Sequence, residues 1–268
     1  HHDDDHVARD HQGAHPEGTG PGGGAGSITL TGTAVTSGPL TTPGGSNGTG
    51  GAVAITSTTG ATTLTTVTTS GGTALAGTAG RPAGSLTLAS ADTLTATTLT
   101  ASGSNGNGAD QPGGAGGTLS ITSTGGNVRV GTISAIGGHA LAGNADGGNG
   151  GSVSLDAGGA TPTITHQTMT TTGGNRIGSG TAGTGGDISV ADASLLSAAT
   201  TIAAGGGSAG AGTGGHVTFG NTVDSSGANR TLTVNTNGIT TFAGAVGETF
   251  ALTSLATDAP GSVRVGGN

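Results

Sequence analysis

A glycine, a small or polar residue, an apolar residue, another small residue and a second apolar one form a signature that recurs along most of the chain. The copies run from Gly26-Ser-Ile-Thr-Leu30 through Gly51-Ala-Val-Ala-Ile55, Gly84-Ser-Leu-Thr-Leu88, Gly117-Thr-Leu-Ser-Ile121, Gly151-Ser-Val-Ser-Leu155 and Gly186-Asp-Ile-Ser-Val190 to Gly215-His-Val-Thr-Phe219. Their first apolar residues fall at 28, 53, 86, 119, 153, 188 and 217, so the steps are 25, 33, 33, 34, 35 and 29 residues. Residues two apart on a strand share a face, so each copy reads as a short half-buried strand. Its return at a nearly constant interval predicts a stack of repeats.

Each unit continues through a polar turn, such as Thr122-Ser-Thr-Gly-Gly126, into further strands with inward candidates at looser offsets. These are Leu64 and Val67; Leu94 and Leu99; Val128, Val130, Ile133 and Ile136; Ile164 and Met169; and Leu195 and Ile202. A glycine-rich excursion closes the unit, for example 71–84, 137–151 and 173–186. Ordering glycine costs more backbone entropy than ordering any other residue. Glycine also lets backbones approach closely, so the expectation is that stacked arms pack in extended, polyproline-II-like layers beside the strands.

The pattern divides the chain into three. Residues 1–25 form a His/Asp-rich polar leader or cap, 26–216 an arm-bearing series of repeats of about 33 residues, and 217–268 shorter armless coils. The leader has almost no apolar residue and cannot build a core. Its opening run His1, His2, Asp3, Asp4, Asp5 and His6 supplies imidazole and carboxylate, the ligands of divalent metals, calcium included. An adventitious divalent ion there is the one cofactor the chain admits; the plainer reading is a polar linker.

Composition narrows the functions. Glycine makes up 61 of 268 residues, and there is no Trp, Tyr or Cys. With no lysine, six arginines, fourteen acids and a formal net charge of −8, the chain has neither a basic stripe for phosphates nor a stacking platform for bases. Nucleic acid is not an expected partner. No apolar run reaches the length of a membrane span, and without cysteine no disulfide or thiolate site is available. An uncharged Thr/Ser/Gly surface fits an extracellular or cell-surface solenoid.

Chemistry is sparse. Asp92, Asp110, Asp146, Asp156, Asp187, Asp192, Asp224, Glu248 and Asp258 are spread singly, without the paired carboxylates of a glycoside hydrolase, and the chain is read as a non-enzyme. A repeating calcium set fails because the place of Asp187 is taken by Ala52, Ser85, Thr118, Ser152 and His216 in other units. His139, His166 and His216 read as surface or turn residues. Thr-x-Thr triplets with an apolar centre recur as Thr66-Val-Thr68, Thr93-Leu-Thr95, Thr98-Leu-Thr100, Thr163-Ile-Thr165, Thr168-Met-Thr170 and Thr231-Leu-Thr233. Each points two hydroxyls outward. Their uneven spacing along the chain predicts rows that slip out of line, so threonine reads first as a strand former on a solvated face. The alternative is a surface that recognises ice or glycan through threonine rows.

The run Arg230-Thr-Leu-Thr-Val-Asn-Thr-Asn-Gly-Ile-Thr-Thr-Phe-Ala-Gly-Ala-Val-Gly247, followed by Ala251-Leu-Thr-Ser-Leu-Ala-Thr-Asp258, resembles the unit of the giant β-strand-repeat exoproteins of Gram-negative bacteria. Those proteins are similar to filamentous haemagglutinin and to autotransporter-type adhesins. The resemblance implies an all-β fold, a right-handed parallel β-helix (β-solenoid), here with stacked glycine-rich lateral arms, serving as a secreted fibre or adhesin. On this reading the chain is a structural segment of an extracellular fibre, matrix or adhesin. Copies would stack head to tail through terminal coils carrying Ile28, Leu30, Val263 and Val265, because unpaired strand edges invite another chain. Surface or host glycans are the other partners it admits.

Overall fold

The computed structural model describes residues 22–266 except 211 and 259. The leader residues His1 to His6 named as metal ligands therefore lie outside the described residues. Everything described is β-strand, turn or extended chain, with no helix.

The chain winds as a parallel β-solenoid. Its first coil holds β1 (Ile28–Gly32), β2 (Val35–Ser37) and β3 (Leu40–Thr41). The next three hold β4 (Val53–Ser57) and β5 (Thr62–Thr68), β6 (Leu86–Ser90) and β7 (Leu94–Thr100), and β8 (Leu119–Ser123) and β9 (Val128–Ser134). Then come β10 (Val153–Asp156), β11 (Thr163–His166) and β12 (Met169–Thr170); β13 (Ile188–Val190), β14 (Ala193–Leu196) and β15 (Thr200–Ala203); and β16 (Val217–Phe219), β17 (Val223–Ser225) and β18 (Thr231–Asn235). The stack ends with β19 (Ile239–Phe242), β20 (Ser254–Thr257) and β21 (Ser262–Val265).

The glycine-led strands form one nine-stranded sheet, β1-β4-β6-β8-β10-β13-β16-β19-β21. Its register pairs Ile28 with Val53, Val53 with Leu86, Leu86 with Leu119, Leu119 with Val153, Val153 with Ile188 and Ile188 with Val217. This is the alignment that the recurring signature predicts. Beyond Val217 the partners are Thr240 and Val263, so the coil shortens where the arms cease.

The other strands form a 12-stranded sheet with a bend. In β5 and β7 the register runs Leu64↔Ala96 and resumes at Thr66↔Thr98, with Thr65 at the corner between them. Leu64 and Val67 point inward on either side of that corner, and in the first coil and the fifth to seventh the wall is split into two strands there. The coil thus has three walls: the nine-stranded sheet, the part before the bend and the part after it.

Apolar rows, mostly aliphatic, fill the interior. Leu30, Ile55, Leu88, Ile121, Leu155, Val190, Phe219, Phe242 and Val265 make one rank of the first wall. Leu40, Val67, Leu99, Ile133, Met169, Ile202 and Val234 make the rank of the third. Each fully buried member contributes roughly 1.5–3 kcal/mol. Two expectations change here. Leu195 points outward while Ser194 and Leu196 point in, and Ile136 is only half-buried at the base of an arm. Strand β14 presents a polar residue to the core because that residue has a buried partner, described below.

The arms are ordered by backbone hydrogen bonds in two directions. On the returning limb, Gly113 and Gly116 N–H donate to Asp146 and Asn149 carbonyls of the next arm, while Gly114 and Gly117 donate to Ser104 and Ala101 of their own outgoing limb. One coil later Gly147 and Gly150 bond Thr181 and Thr184, and Gly148 and Gly151 bond Gly138 and Ala135. Outgoing limbs close the remaining gap: Gly138 donates to Gly114, Gly174 to Gly148 and Gly207 to Gly183. The alternation repeats every three residues, the period of an extended threefold helix, so the limbs form a continuous layer.

A Cβ on Gly148 would collide with the Gly114 carbonyl, and one on Gly151 with the Gly117 carbonyl. At the tips the chain reverses through left-handed residues, Asn47, Gly77, Asp110, Gly143, Gly178 and Gly210, conformations that glycine, asparagine and aspartate tolerate. The layer reaches into the segment read as leader: Gly22 and Ala25 N–H donate to Ser46 and Thr49 of the first arm.

Candidate functional site

The arms are clasped to the third wall by a row of inward residues, Thr42, Thr69, Ala101, Ala135, Thr171, Ala204 and Thr236, all buried. Every threonine in that row donates its hydroxyl to a glycine carbonyl on the returning limb: Thr42 to Gly51 (2.7 Å), Thr69 to Gly84 (2.8 Å), Thr171 to Gly186 (2.6 Å) and Thr236 to Gly215 (2.5 Å). Side-chain ladders between successive arms add to this. Asp110 accepts from Asn144 N–H, Asp146 from Thr181, Asn149 from Thr184 and Asn175 from Ser208. The Thr181 backbone N–H, then its hydroxyl, holds the Asp146 carboxyl below the usual range.

On the outer surface of the third wall the threonines behave differently. Thr66 pairs with Thr98, Thr98 with Thr132, and Thr201 with Thr233. Thr168, which precedes Met169, falls between Thr132 and Thr201 in the same register. Six consecutive coils therefore carry threonine at one outward position. The rank beside it runs Thr41, Thr68, Thr100, Ser134 and Thr170, then Ala203 and Asn235. The expected slippage does not occur, because variation in coil length is absorbed by turns and arms outside these strands. Among the described residues, no side-chain hydrogen bond engages any of the six hydroxyls.

A Ser–His pair is the least anticipated feature. His166, expected at the surface, is fully buried, replacing the aliphatic residue of its inward row between Val130 and Leu196. Its Nε2 lies 2.6 Å from Ser194 Oγ and its Nδ1 3.2 Å from the Gln167 carbonyl. The ring stacks on Phe219 (6.2 Å between centroids), which stacks on Phe242 (5.2 Å). Burial pushes the imidazole down to about 4, opposed by the Gln167 carbonyl. The pair has the atoms of a nucleophile and its base, but neither reaches solvent, so its role is to satisfy two buried polar groups. His139 and His216 do lie in arm and turn, their Nδ1 atoms accepting from Asn175 and Ile239 N–H.

Carboxylates converge in one place. Asp192 accepts from Ala157 N–H (2.8 Å), and burial together with the neighbouring Asp192 raises the Asp156 carboxyl. No group of three or more His, Asp or Glu among the described residues is placed to hold a metal. Among the described residues, no helix is long and apolar enough to cross a membrane.

The ends of the stack place the four residues read as a polymer interface. Ile28 and Val263 belong to one inward rank, Leu30 and Val265 to the other, at opposite ends of the nine-stranded sheet. Ile28 is buried and Leu30 half-buried, whereas Val263 and Val265 are 47% and 68% exposed, with Leu255 and Phe250 exposed beside them. Where the arms end, Asn237 takes over part of the layer's bonding. It accepts from Gly206 N–H and donates to the Gly212 carbonyl, beside a groove of about 550 Å³ that Asp258 and Pro260 also line.

No protein-family model matches the chain, and neither a curated protein nor a solved structure matches it.

Proposed function

We propose that the chain is a rod-forming structural segment of an extracellular bacterial fibre, matrix or adhesin, copies of which stack end to end. The observation that carries this reading is the unbroken register of the nine-stranded sheet. Its inward ranks start at Ile28 and Leu30 and finish at Val263 and Val265 in the same two columns. A second copy seated on the exposed edge of β21 would continue both columns and the ladder with aliphatic residues, the geometry of β-augmentation. The bonded glycine layer braces the rod along its side, and the resemblance of the 230–258 run to bacterial exoproteins is in keeping with the same role.

Negative-stain imaging and light scattering test it directly. The chain is expected to form threads of uniform width that lengthen with concentration, and Val263→Asp with Val265→Asp should return it to short rods. A chain that stays monomeric at high concentration with both terminal coils intact would contradict the reading.

A further inference from the structure

We propose that the threonine rank on the third wall, together with the small polar rank beside it, is an ice-binding face. Three observations lead there, and none concerns the ends of the rod.

The first is constancy within the chain. The first wall offers the same solvent and the same strand geometry, yet one of its outward ranks runs Thr29, Ala54, Thr87, Ser120, Ser154, Ser189. On the second wall an outward rank runs Thr36, Thr63, Thr95, Arg129, Thr165, Leu195. Strand propensity favours threonine equally on all three walls. It does not account for one rank that keeps threonine through six coils while its counterparts drift.

The second is the state of the hydroxyls. Inward threonines of the same wall spend theirs on glycine carbonyls of the arms. Outward ones at 66, 98, 132, 168, 201 and 233 are exposed or half-exposed and have no side-chain partner among the described residues. Threonine is stiff at χ1, so the strand beneath restricts the orientations each hydroxyl and methyl can take. The two ranks contain no charged residue, which would disrupt an ordered water layer.

The third is spacing. Strands in neighbouring coils lie ~4.8 Å apart, and residues i and i+2 on a strand ~6.7 Å apart. Water hydrogen-bonded tetrahedrally at about 2.75 Å places second-neighbour oxygens ~4.5 Å apart and, on the perpendicular axis, repeats at ~7.3 Å. The two grids agree to about a tenth in each direction. Glycan is the weaker ligand for this surface, because sugar recognition draws on aromatic faces and pockets. Phe219 and Phe242 are buried in the core, and Phe250 lies in the turn before β20, off both ranks.

The test uses the full chain grown slowly into ice from dilute solution, with partition into the ice measured against a non-binding protein of equal size, and thermal hysteresis read alongside. The chain is expected to enter ice at least several-fold above the control. Thr98→Lys with Thr132→Lys should reduce that enrichment at least fivefold. Ser120→Lys with Ser154→Lys on the first wall should leave it unchanged. Arg129 already stands outward in the coil of Thr132, so a long basic side chain is compatible with the fold there, and thermal unfolding of the variants verifies this. Should the lysine pair fail to fold, Thr98→Ser with Thr132→Ser removes only two methyls and should still weaken partition. Exclusion of the native chain from ice would overturn the proposal, as would equal loss in rank and first-wall variants, or binding of the rank to immobilised glycan without ice partition. The rank variants leave Val263 and Val265 untouched, so rod assembly is scored separately.

Discussion

The three β-walls and the glycine layer hold the same chain in two different ways. In the walls, side chains do the work: ranks such as Leu88, Ile121 and Leu155 are removed from water and the backbone ladder aligns them. In the layer, side chains would prevent the structure, since Gly148 and Gly174 lie so close to the carbonyls of Gly114 and Gly138 that a methyl group has no room. Order there comes from backbone donors meeting backbone acceptors in two directions. Glycine, the costliest residue to order, is affordable because each limb repeats a pattern already fixed by the coil before it. The layer is therefore secondary to the walls: it is anchored through Thr69 and Thr171 and should open before they do.

Substitutions in each region separate the two modes of holding the chain. Phe219→Ala removes the central ring of the buried stack and should cost about 3–5 kcal/mol, seen as a lower midpoint in denaturant for walls and arms together. Acid should act next. His166 is held neutral with its folded value at about 4, below the ordinary 6.5, so the unfolded chain takes up the proton first as pH falls. Its contribution is complete above pH 6.5, declines between 6.5 and 4 and is constant below, a loss on the order of 3 kcal/mol. His166→Leu combined with Ser194→Ala should flatten that part of the stability profile; an unchanged slope would place the titration elsewhere.

Gly148→Val is the complementary lesion. It should cost about 1–3 kcal/mol through crowding and deprotect the arms on either side while the wall amides stay protected. Smallest is Thr171→Val, which deletes one buried clasp to the Gly186 carbonyl and should cost about 1 kcal/mol, loosening that arm in hydrogen exchange.

Much of the fold is legible in the sequence because a period-two apolar pair after glycine is a strong local signal. Its alignment from Ile28 to Val217 follows by counting. The site is less legible. His166 reads as a surface residue because histidine is polar and its partner Ser194 lies 28 residues away, visible only once the fifth and sixth coils are superposed. Leu195 reads as core for the same reason in reverse. The threonine rank is hidden by the arms, whose varying lengths make Thr98, Thr132 and Thr168 seem irregularly placed along the chain although they are aligned in space. A count restarted at each inward residue of the third wall, Val67, Leu99, Ile133, Met169, would have found it.

If the arms are a bonded layer rather than loops, amide hydrogen exchange resolved by residue will show it. The amides of Gly114, Gly138, Gly148 and Gly174 are expected to exchange far more slowly than unstructured glycine, within reach of the protection of Leu88 and Ile121. Exchange of those four at the free-chain rate, with the walls protected, would contradict it.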